Sequence, residues 1–155
     1  MPKKSKMNKQ ELKDFLDEKV ILYNNTQFIE SDPIQIPHLY TLKEDIEIAG
    51  FLTATISWGN RKMIIKNAQL LMEMLGNSPY DFVMNHTENQ IENLAPFVHR
   101  TFNSADAITF IKALQNIYKN HEGLETLFSK HQEKKSLQKS IHEFKKVFFE
   151  IDHLT

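Results

Sequence analysis

Thr41-Leu42-Lys43-Glu44-Asp45-Ile46-Glu47-Ile48-Ala49-Gly50-Phe51-Leu52-Thr53-Ala54-Thr55-Ile56-Ser57-Trp58-Gly59-Asn60-Arg61 is the stretch whose reading decides the fold. Its apolar residues Ile46, Ile48, Ala49, Phe51, Leu52, Ala54 and Ile56 fall on nearly every side of a helix, the pattern of a helix buried in mid-domain. Thr41 followed by Glu44 has the spacing of a capping box and sets the start. Trp58-Gly59-Asn60 sets the stop, because glycine adopts the positive φ that ends a helix. We therefore expect a buried central helix over about 42–57. Ala49, Gly50 and Ala54 are small enough for another helix to come close.

Helical spacing continues on both sides. Downstream, Asn60 is placed to cap a helix from Arg61 to Leu75, with Met63, Ile64, Ala68, Leu71 and Met72 on one face and Gly76 as its stop. Ser78-Pro79 opens a short helix to about Met84. Asn85 to Pro96 is polar and reads as a turn with a brief helix near Gln90. Phe97 to Phe102 reads as an extended or tight connector. Asn103 caps a helix through about Tyr118, Gly123 to Phe128 is a short helix, and Ser136 to Glu150 is the last.

Upstream, Leu12, Phe15, Leu16, Val20, Ile21 and Tyr23 predict a helix over Glu11–Tyr23, with Asn8 and Glu11 as its capping box. Residues 24–40 contain Asp32-Pro33 and Ile36-Pro37, and a residue before proline avoids helical angles. This stretch is expected to be an ordered, largely extended loop with a short turn near Phe28-Ile29. Its apolar content requires it to pack down. No strand alternation appears, so the fold class is all-α: a flexible N-terminus over 1–7, then one irregular helical domain over 8–155. Val147-Phe148-Phe149 is too apolar for an uncovered end. We expect the chain to be the N-terminal portion of a longer protein, with its own C-terminal half or a partner covering the last helix.

Composition narrows the function classes. The 155 residues carry 19 Lys and Arg against 20 Asp and Glu, a net charge of −1, so no global basic field draws the chain to nucleic acid. The absence of cysteine excludes disulfides, thiol catalysis and Cys-ligated metals, and fits a cytoplasmic protein. No segment reads as a signal peptide or membrane span. His121, His131 and His142 are ten and eleven residues apart, which is no ligand spacing, so no metal site and no cofactor is expected. The tail from Lys130 to Lys146 tilts basic, as solvated helix faces do.

Two constellations carry possible chemistry. Asp32, His38, Asp45 and Glu47 precede the central helix, while Trp58, Asn60 and Arg61 follow it. Trp58 suits stacking on a ring, and an arginine at a helix N-terminus suits an anion. His99-Arg100 lies in the later connector, where it serves either an anion or an ion pair from Arg100 to Asp45 or Glu47. Three functions stay open: a nucleic-acid surface of Trp58, Asn60, Arg61, His99 and Arg100; a small-molecule or metal-assisted hydrolase using Asp32, His38, Asp45 and Glu47; and a structural or partner-binding module. DNA or RNA is the partner of the first.

The motifs Asp32-Pro33-Ile34, Ile36-Pro37-His38, Asp45-Ile46-Glu47-Ile48-Ala49-Gly50-Phe51, Ser57-Trp58-Gly59-Asn60-Arg61 and Phe97-Val98-His99-Arg100-Thr101-Phe102-Asn103, with Tyr23-Asn24 and Phe28-Ile29 before them, resemble the signatures of a bacterial family of unknown function, DUF2400. The resemblance covers roughly residues 12–155. It implies a longer protein and no particular reaction. Asp45 to Leu75, two helices joined by a short polar turn, is more distantly similar to the opening of helix-hairpin-helix DNA glycosylases. The hairpin glycines, catalytic lysine and catalytic aspartate of those enzymes have no counterpart here.

Overall fold

The computed structural model describes residues 7–133 and 136–153, and it is helical throughout. The segment expected to be flexible, residues 1–7, lies outside the described residues except for Met7, as do Lys134 and Lys135 of the basic tail. The helices are α1 (Lys9–Tyr23), α2 (Thr26–Ser31), α3 (Lys43–Thr55), α4 (Arg61–Met74), α5 (Pro79–Asn85), α6 (Glu88–Glu92), α7 (Ser104–Asn120), α8 (Leu124–Ser129) and α9 (Gln138–Phe148). Two single-turn 3-10 helices, Pro33–Gln35 and Pro37–Leu39, join α2 to the segment before α3. Among the described residues there is no strand.

Helices α3 and α7 share the centre. Ile48, Ala49 and Leu52 of α3, with Ile56 just beyond it, and Ile111, Ala113, Leu114 and Ile117 of α7 are buried with Ala68, Leu71 and Met72 of α4 and Val83 of α5. One side of α3 stays open: Ile46 and Ala54 are exposed there, with Gly50 half-buried between them. Of the small residues of α3, Ala49 is buried in the core, Ala54 is exposed, and Gly50 faces Pro37, whose Cβ would lie 3.8 Å from a Cβ there.

Residues 24–40 depart from the expected extended loop. Asn25 caps α2 by accepting from the Phe28 N–H, and Pro33 and Pro37 each stand first in a 3-10 turn, where a missing N–H costs nothing. Asp32 keeps the extended backbone of a pre-proline residue, but Ile36 is helical. The stretch does pack down, through the fully buried Ile36.

The capping box at Thr41–Glu44 does not form. The helix starts one residue later with Leu42 at the cap, and Asp45, then in the box position, accepts from the Tyr80 N–H at 2.8 Å instead. The boxes at Asn8–Glu11 and Asn103–Asp106 form, the first as expected.

The last helix is less open than expected. Phe148 is buried against Phe51 and Phe110, Phe144 meets Phe51 and Phe128, and Val147 packs against the core. The helix whose apolar side lies uncovered is α1, which has no buried residue.

Candidate nucleic-acid interface

The turn between α3 and α4 is the centre of the site. Ser57 donates its hydroxyl to the Thr53 carbonyl at 2.7 Å, and Gly59 takes φ +116°, which reverses the chain. Asn60 then caps α4 by accepting from the Met63 N–H. Trp58 is left 40% exposed at the apex.

The connector between α6 and α7 folds onto this turn. Mutual backbone hydrogen bonds between His99 and Phe102, at 2.7 and 3.0 Å, close it, and Arg100 is held at φ +58°. The Arg100 guanidinium lies 4.7 Å over the Trp58 ring. Gly59 makes room for it: a Cβ there would stand 2.7 Å from the Arg100 Nη1. The expected pairing of Arg100 with Asp45 or Glu47 is absent, because Asp45 is held by α5 and Glu47 accepts from the Tyr118 hydroxyl at 2.6 Å. Among the described residues Arg100 pairs with no carboxylate.

His99 was expected on the contact surface but is only 2% exposed. Its Nδ1 is 2.8 Å from the Asn67 amide nitrogen and its Nε2 is 3.4 Å from the Trp58 carbonyl. With the Asn67 amide donating to Nδ1, Nε2–H points at the carbonyl, so the ring straps the two connectors together. Sequence reasoning missed Asn67. Its signal was a polar residue three positions after Ile64, on the buried side of α4.

Arg61 starts α4 and rests 5.7 Å over the Phe28 ring, with one amino group 3.8 Å from the Asp32 carboxylate. Asp32 also accepts from the Ile34 N–H and so caps the first 3-10 turn. Lys62 and Lys66 extend the exposed cationic side of α4.

A groove of about 760 Å³ runs from this edge along the open side of α3. Its lining includes Asp32, Pro37, Ile46, Glu47, Gly50, Ala54, Gly59 and Arg61. Thr53 also lines it; this residue is 4% exposed, and its Oγ1 has no hydrogen-bond partner among the described residues.

The structure therefore gathers Trp58, Gly59, Asn60, Arg61 and Arg100 at one edge and brings Asp32 and Glu47 to the adjoining groove. It does not bring His38 or Asp45 there: His38 is exposed on the second 3-10 turn, and Asp45 serves the start of α5. Among the described residues no three His, Asp or Glu side chains converge to hold a metal. Among the described residues no helix is long and apolar enough to cross a membrane.

Fold and edge together define an all-helical domain that presents a cationic, aromatic turn beside an open groove. The family described as "Protein of unknown function (DUF2400)" matches residues 32–155, and the chain belongs to it. Helices α1 and α2 precede the matched region. No curated protein and no solved structure matches the chain.

Proposed function

We propose that this domain binds nucleic acid at the edge formed by Trp58, Asn60, Arg61 and Arg100. The observation that carries the reading is Arg100: its guanidinium sits 4.7 Å over an exposed indole and pairs with no carboxylate among the described residues. A module whose motif residues served packing alone would neutralise that charge internally. An exposed indole offers a face to an unstacked base, and the guanidinium on its other side, Arg61 and the first amides of α4 supply donors for phosphate. The geometry suits a single strand, since stacking needs a splayed base. A remote relation to DNA base-processing enzymes is consistent with the same turn approaching the nucleic acid.

The hydrolase alternative has less behind it. Of its four residues only Asp32 and Glu47 share the groove, and both already accept hydrogen bonds.

Trp58 is the sole tryptophan, so its emission reports on the site directly. Titration with single-stranded DNA and RNA oligonucleotides at low salt is expected to quench it, with affinity falling steeply as salt rises. Arg100→Ala should weaken binding about tenfold and lower the salt slope by about one. Unchanged emission and unchanged oligonucleotide anisotropy at low salt would refute the proposal.

A further inference from the structure

Lys139, His142, Lys145 and Lys146 stand in α9 against the single acid Glu143. His142, Lys145, Lys146 and Phe149 follow one another at i, i+3, i+4 and i+7, so they share one side of the helix. With His153 just beyond the helix, they line an open depression of about 620 Å³ that has no carboxylate in its wall among the described residues. Lysines in a last helical turn also suit the helix dipole, but the dipole asks nothing of an aromatic ring or of two imidazoles beside them.

The charges and the ring are available to a ligand. Lys145 is exposed and pairs with no carboxylate among the described residues. Lys146 meets Glu143 at 2.8 Å, but both ends of that pair reach solvent, and an exposed pair is weak enough to yield to a phosphate. Glu150 is taken up by Asn116 and His121 at the end of α7. Phe149 is 38% exposed although Phe148 beside it is buried. The His153 ring lies 5.1 Å from the Phe149 ring, and its Nδ1 is 2.8 Å from the Ile151 carbonyl, a bond that holds the imidazole in place.

The start of α7 connects this depression to the Trp58 edge. His153 also lines a second cavity, of about 310 Å³, with Ala105, Ile108, Lys112 and Asp152. Ala105 stands in the first turn of α7, just after the connector that lays Arg100 over Trp58. From Arg100 to Ala105 the chain reaches at most about 18 Å. We infer that a single strand held at the Trp58 edge continues past the start of α7 onto α9, where Lys145 and Lys146 take its phosphates and Phe149 stacks on a base. This rests on the nucleic-acid reading of the edge. The lysines select a polyanion, and the ring selects one with flat, unstacked bases. Phe149 is flanked by Phe148 and His153 at 5.1 Å each, a ring cluster at the surface that suits a stacked base better than an anchor among acyl chains.

Thymidylate strands of about 4 to 16 nucleotides, titrated at low salt, separate the two contacts. Trp58 emission reports the edge, and the anisotropy of a labelled strand reports total binding. Affinity should rise with length until one strand reaches both contacts. Lys145→Ala combined with Lys146→Ala changes only exposed positions and should keep the helical circular dichroism. It should leave quenching of Trp58 by the shortest strand unchanged, weaken the longest about tenfold and lower its salt slope by about one. Phe149→Ala should weaken the longest strand at least about fivefold, and Lys145→Arg should preserve it. Quenching by short strands with no gain for long ones, or long-strand affinity indifferent to both lysines, overturns this inference and leaves the edge standing. Absence of quenching at every length overturns the edge and the spanning strand with it. Binding to phosphatidylserine vesicles that is lost in the lysine variant, with strands unaffected, would assign the patch to a lipid surface and overturn the inference as well.

Discussion

Gly59 shows how much one residue can hold in place. At φ +116° a side chain is strained whatever the space, and here the space is taken by Arg100. Gly59→Ala is expected to cost about 1–2 kcal/mol and to push the guanidinium off Trp58. A lower urea midpoint together with altered Trp58 emission would show both effects. Thr53 should behave in the opposite way. Its buried hydroxyl forms no hydrogen bond among the described residues, so Thr53→Val removes a desolvated polar group at nearly constant shape. We expect unchanged or higher stability, by up to about 1–2 kcal/mol; a clear loss would mean that the hydroxyl has a partner in solution. His99 differs from Thr53 because both its ring nitrogens are engaged. His99→Phe leaves the Asn67 amide and the Trp58 carbonyl unmatched, and should lower stability by about 1–3 kcal/mol for each group left buried.

At the level of elements, the packing of α9 is the most consequential. Phe148 is buried against Phe51 of α3, Phe110 of α7 and Phe144 of its own helix, with ring centroids 4.8–5.6 Å apart. Tilted and edge-on rings at this range add to the apolar burial. Phe148→Ala should therefore cost about 3–5 kcal/mol in equilibrium unfolding, whereas Ile141→Ala on the exposed side of α9 should change little. Equal effects would mean that α9 is not docked as described. The start of α3 depends on a different kind of bond. The Asp45 carboxylate accepts from the Tyr80 N–H and so ties α5 to α3, while Leu42 at the cap of α3 has no side-chain acceptor to offer.

For the molecule as a whole, Tyr118 links stability to alkaline pH. Burial first, and then its hydrogen bond to Glu47, push its hydroxyl well above the ordinary tyrosine range. A raised pKa means that the folded state keeps the proton that the unfolded state releases. The contribution is therefore fully present below about pH 10, the unfolded value, and declines progressively above it. Stability measured between pH 9 and 11.5 should fall more steeply for the parent than for Tyr118→Phe, which has no proton to lose there. Parallel curves would show that Tyr118 ionises as freely when folded as when unfolded. At the acid end, hydrogen bonds from Asn116 and His121 hold Glu150 below the usual carboxylate range. They join the end of α7 to the residues after α9, and their contribution is lost as pH falls through the folded value.

The sequence by itself determined the helical class, the order of most helices, the caps at Asn8, Asn60 and Asn103, and the family. These depend on interactions within a few residues of each other, so periodicity and cap chemistry reveal them. It misplaced what long-range partners decide. Helix α3 starts one residue late, with Leu42 at its cap and Asp45 accepting from Tyr80 across the fold, while residues 24–40, misread for a local reason, form short helical turns capped by Asn25 and Asp32 with a proline first in each 3-10 turn. The candidate site divided in the same way. Trp58, Arg61 and Arg100 were legible as residue types suited to a nucleic acid, but only the tertiary structure laid one guanidinium on the indole, buried His99 behind Asn67, and separated His38 and Asp45 from the groove. A side chain's neighbours far away in the sequence are set by how whole helices pack, and that packing is a property of the assembled core.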